Sequence, residues 1–176
     1  MDFRSILSSP ITLKEINLVR DEILQNPYRF SEIFELIFEE KPNTAWRAAW
    51  AVEKVSEKQP AFFTEKESLR LINHSLVINH RSLQRSILSI LINLPLPENL
   101  PVPYINACFE RMTSTAQPVA VQALSMRMLQ RVAEKEPDFI PEILLTLENV
   151  DLNSMSAGYV AIRRKVMTQL QKYLKS

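Results

Sequence analysis

One spacing runs through nearly the whole chain: apolar residues recur three, four and seven positions apart, and no stretch alternates cleanly as a half-buried strand does. That is the period of an α-helix, whose 3.6-residue turn gathers such positions into one stripe. A chain patterned this way folds as packed helices. Segments of this kind lie at about 12–25, 28–40, 44–58, 65–78, 80–94, 103–114, 118–135, 139–149 and 157–174. Two begin with an S/T-x-x-E capping box, Thr12 with Glu15 and Thr64 with Glu67. Pro27, Pro42, Pro60, Pro95, Pro97, Pro101 and Pro137 punctuate the connections. Proline takes the turn role here, because Gly158 is the only glycine.

After a leading helix over 12–25, the segments pair as about 28–58, 65–94, 103–135 and 139–174. The second helix of each pair carries the same apolar register. It reads Thr44, Ala48, Ala51, Val52, Val55; Leu83, Ile87, Ile90, Leu91, Leu94; Val121, Ser125, Met128, Leu129, Val132; and Ile162, Val166, Gln169, Leu170, Tyr173. These registers start 39, 38 and 41 residues apart, and "VSEKQPAFF" at 55–63 returns as "VAEKEPDFI" at 132–140. A period near 40 is that of stacked helix pairs. First helices supply the facing stripe, for example Phe30, Ile33, Phe34 and Ile37, or Ile140, Ile143, Leu144 and Leu147. A single pair cannot bury both rows, so the pairs must stack.

The stretch "AWRAAWAVEKV" is similar to the small-residue second helix of HEAT-like repeats, and "IRRKV" keeps an apolar residue followed by Arg at the start of that helix. Over about residues 28–174 the chain resembles a HEAT-like (armadillo-type) helical repeat protein. The resemblance implies an all-α fold, a right-handed α-α superhelix of about four helix pairs. Residues 1–176 would form one repeat domain, with the leading helix capping its N-terminal end. In such solenoids the second helices line the concave side.

Composition narrows function mostly by exclusion. A chain of 176 residues can bury about 70% of its unfolded surface, and 46% hydrophobic with 23% charged residues reads as a soluble globular protein. Phosphate-cradling loops need several glycines, so Walker and Rossmann nucleotide sites are excluded. Cys108 is the only cysteine, which rules out an intrachain disulfide and a Cys-rich zinc site. It sits on an apolar helix face with Ile105, Phe109 and Met112 and reads as a small buried hydrophobe. His74 and His80 are six apart, a spacing that does not stack two ligands on one helix face. No metal, cofactor or small-molecule substrate is expected. "MDFRSILSSPITLKEI" lacks the apolar core of a secretory signal and no window approaches 18 apolar residues, so a cytoplasmic protein without membrane contact is expected.

The net charge of +1 conceals an uneven distribution. The second helices sum to +10, with Lys175 counted in the last, whereas the first helices sum to −7. Opposite each buried stripe, positions i, i+4 and i+8 form a column. The columns read Trp46, Trp50, Lys54; Arg85, Ser89, Asn93; Ala123, Arg127, Arg131; and Arg164, Thr168, Lys172. A concave basic surface attracts an acidic partner.

The expected function is a non-enzymatic scaffold that binds a protein partner, with an acidic segment as the fitting ligand. Trp46 and Trp50 would be its anchors, and Lys54, Arg85, Arg127, Arg131, Arg164 and Lys172 its charged contacts. A second reading leaves the tryptophans covered by the leading helix, the segment "MDFRSILSS" or a neighbouring unit. The alternative function is nucleic-acid binding, in a protein related in architecture to the HEAT-like alkylpurine DNA glycosylases. Those enzymes use a catalytic Asp, and here Asp138 and Asp151 fall on first-type helices or their loops.

Overall fold

The computed structural model describes residues 1–174. Among them the backbone forms ten α-helices and no strand. They are α1 (Phe3–Ser8), α2 (Leu13–Gln25), α3 (Phe30–Glu35), α4 (Pro42–Ser56), α5 (Glu65–Val77), α6 (Arg81–Asn93), α7 (Val102–Thr113), α8 (Val119–Lys135), α9 (Ile140–Glu148) and α10 (Ala157–Tyr173). Short 3₁₀ turns at Pro27–Arg29, Leu36–Phe38, Pro60–Phe62, Pro137–Phe139 and Leu152–Ser154 join or extend them.

Local chemistry explains where these helices start and stop. Thr12 and Glu15 cap α2 reciprocally, with the Thr12 N–H donating to the Glu15 carboxylate at 2.7 Å. At α5 the Thr64 N–H donates to Glu67 at 2.8 Å. No described residue enters the left-handed backbone region that lets a glycine close a helix. Helices run instead into extended residues such as Ile78, Leu94 and Ser114, or into proline-led 3₁₀ turns. The repeated "PAF" and "PDF" form the same turn after α4 and after α8, and each delivers a buried residue next, Phe63 or Ile140.

The chain gathers into two compact units, Met1–Pro97 and one beginning at Glu98. In the first, α4 is the centre: α2 packs on it from one side and α6 from the other. Beneath this row lie α3 with its 3₁₀ extension, against α4, and α5, against α6. Ala45, Ala48, Ala49 and Ala51 are buried on α4, and their small side chains admit close neighbours. In the second unit, α8 packs against both α7 and α10, and α9 against α10.

The apolar registers are buried throughout the second helices α4, α6 and α8. In α10 Val166 and Leu170 are buried, while Tyr173 is 48% exposed.

One element is absent from the periodicity reading. Phe3 and Leu7 are fully buried on α1, a six-residue helix started by the Asp2 side chain accepting from the Ser5 N–H. It packs on α3 and α4. Six residues span under two turns, too few to establish a period.

Candidate functional site

The exposed face of the second helices differs between the two units. In the first, Trp46 and Trp50 lie parallel, with ring centroids 6.0 Å apart and planes 5° from coplanar. Both are half-buried. His80 caps α6, its Nδ1 accepting from the Leu83 N–H at 3.1 Å, and its ring stands 6.4 Å from Trp46. The Trp46 indole N–H is buried without a partner. Next to it the buried Arg47 donates from Nη1 to the Leu7 carbonyl at 3.0 Å and so ties α1 to α4.

The cations of this column are committed to acids of their own unit. Lys54 pairs with Glu57 at 2.6 Å. Arg85 lies 3.9 Å from the buried Glu53 Oε2 on α4, a long ion pair in which that oxygen accepts no hydrogen bond. Such cations have less to offer a partner, because an incoming acid must displace an existing one.

The second unit carries a cleft between α8 and α10, about 300 Å³ in volume, lined by Arg127, Gln130, Ile162, Lys165, Val166 and Gln169. No acid lines it. Arg127 and Lys165 are exposed, and neither makes a side-chain hydrogen bond or ion pair among the described residues. Val166 is 2% exposed and Ile162 is half-buried, so aliphatic groups lie deeper than the charges. Gln130 donates to Glu134 at 3.1 Å, while the Gln169 carboxamide is uncommitted among the described residues. One turn along α8, Arg131 is half-buried, and burial lowers its pKa.

The residue pattern, the stacked second helices and the period near 40 have a counterpart among known families. The family model of the HEAT repeat domain matches residues 3–170. The chain belongs to the HEAT repeat family. No curated protein and no solved structure matches it significantly. The match begins at the first residue of α1.

Within these HEAT pairs the predicted residues separate by role. Trp46 and Trp50 stack on each other, and Lys54 and Arg85 are ion-paired. Arg127 opens onto the cleft, Arg131 is half-buried beside it, and Arg164 and Lys172 are exposed on α10 without lining it. Lys175 lies outside the described residues. Lys165, Gln130 and Gln169 are cleft residues that the column rule missed. The rule chose positions opposite the stripe, whereas on α10 the cleft is lined by Ile162, Val166 and Gln169 of the stripe itself, with Lys165 beside them. Arg163 has another task, since its Nε donates to the Leu147 carbonyl at 2.7 Å and fastens α10 to the last turn of α9.

Leu88 and Met126, apolar residues flanking the columns, are core. Cys108 is buried, and burial pushes its thiol up to about 12. Among the described residues no group of three His, Cys, Asp or Glu side chains is placed to hold a metal, and no helix is long and apolar enough to cross a membrane.

Proposed function

We propose that this HEAT repeat protein is a non-enzymatic scaffold that binds an acidic segment of a partner protein through the exposed faces of its second helices. The observation that carries the reading is the α8–α10 cleft, where two uncommitted cations stand over aliphatic and carboxamide side chains. Neither a guanidinium, an ammonium nor a carboxamide exchanges protons readily near neutral pH, so this lining suits recognition better than acid–base chemistry. Arg127 and Lys165 receive the acidic groups, and Arg131, Arg164 and Lys172 add to the local positive field. In the first unit the half-buried Trp46 and Trp50 supply apolar contact area. The lone buried cysteine accords with a cytoplasmic setting, which is part of the same proposal.

Nucleic acid is the competing ligand. A duplex-binding face typically neutralises about 6–10 phosphates, and Lys54 and Arg85 are already engaged by Glu57 and Glu53. The test is fluorescence anisotropy of labelled acidic peptides, single-stranded DNA and duplex DNA with the full chain at low and moderate salt. Peptide binding that weakens with salt is the expected result. Binding to DNA alone, falling log-linearly with salt, overturns the proposal.

A further inference from the structure

We infer that the α8–α10 cleft is a slot for single glutamate side chains of the partner, taking the carboxylate at its rim and the methylene stem against its lining. The inference rests on the acidic-partner reading above and deepens it.

Size comes first. The cleft, about 300 Å³ in volume, has room for a single side chain. The partner contributes projecting side chains to it.

The chemistry of the lining is layered. Arg127 and Lys165 are exposed, whereas Val166 is buried and Ile162 half-buried. A guanidinium binds a carboxylate through two parallel N–H bonds, and an ammonium adds a compact charge beside it. The Gln169 carboxamide has free N–H donors for the same oxygens. Glutamate carries one methylene more than aspartate, and that stem is what Ile162 and Val166 can cover. Gln130 is held by Glu134, also on α8.

The probes are three labelled ten-residue peptides in which alanine alternates with Glu, Asp or Gln, titrated against the full chain at low salt. The Glu peptide should bind about tenfold more tightly than the Asp peptide, the usual worth of a methylene in a fitted apolar site. The Gln peptide should bind more weakly still. The variant R127E/K165E should lose Glu-peptide binding by at least about tenfold, while K14E, on α2 of the first unit, changes it by less than about twofold. All three positions are exposed, and circular dichroism of each variant checks that the helices remain.

Equal affinity for Glu and Asp peptides overturns the slot but leaves acidic-partner binding intact. So does Glu-peptide binding that survives R127E/K165E, which would place the acidic ligand elsewhere on the molecule. Failure of every acidic peptide alongside binding of DNA overturns both readings.

Discussion

His74 sits on α5 against the Phe38 ring, at 5.0 Å between centroids, with its Nε2 buried and unpartnered. Burial disfavours the imidazolium, so the folded-state pKa lies below the unfolded value of about 6.5. The unfolded chain then takes up a proton before the folded one does. Stability is full above about pH 6.5 and declines as pH falls through and below that range, until the folded imidazole also titrates. Chemical denaturation at several pH values checks this: H74Q should flatten the decline between about pH 6.5 and pH 5. An unchanged slope would mean that other groups carry it. The remaining residue-scale lesson concerns charge, since Lys54 and Arg127 look alike on a helical wheel yet one is paired and the other is not.

At the scale of elements, α1 shows how a short helix is held without a period of its own. Phe3 and Leu7 are buried, Arg29 stacks over the Phe3 ring at 4.2 Å, and Arg47 donates to the Leu7 carbonyl. Replacing Arg47 with Met keeps most of the volume but removes the donor. R47M should cost about 1–3 kcal/mol, the range for a buried hydrogen bond to a charged group. Hydrogen exchange should show amides 3–8 losing protection ahead of those in α4. Full protection of α1 in the variant would show that its apolar contacts alone hold it. The capping boxes of α2 and α5 were legible in the sequence, because a cap depends only on residues three apart. The docking of α1 was not, since its partners lie more than twenty residues away.

At the scale of the whole molecule, repeat proteins gain stability from each unit and from its immediate neighbours. Contacts here gather into two compact units, so damage in one core should stay largely local. Leu71 is fully buried on α5. L71A should cost about 2–5 kcal/mol through lost contacts and a cavity. Native-state hydrogen exchange should then show lowered protection in α4, α5 and α6, with α8 and α10 close to their original values. A uniform loss across both units would show that they unfold as one.

The helices from residue 12 onward, their approximate ends and the stripes Phe30, Ile33, Phe34, Ile37 and Ile140, Ile143, Leu144, Leu147 were determined by the sequence alone. Each follows from local spacing, because hydrophobic burial selects one face of a helix and that face is written every three or four residues. Tertiary structure decided the rest. It set which cations pair internally, made α1 a packed element, and placed Lys165 and Gln169 rather than Arg164 and Lys172 in the cleft with Arg127. A helical wheel tells which residues face outward. Only the neighbouring helix tells which of them meet across a cleft, since that depends on how two stripes settle into each other.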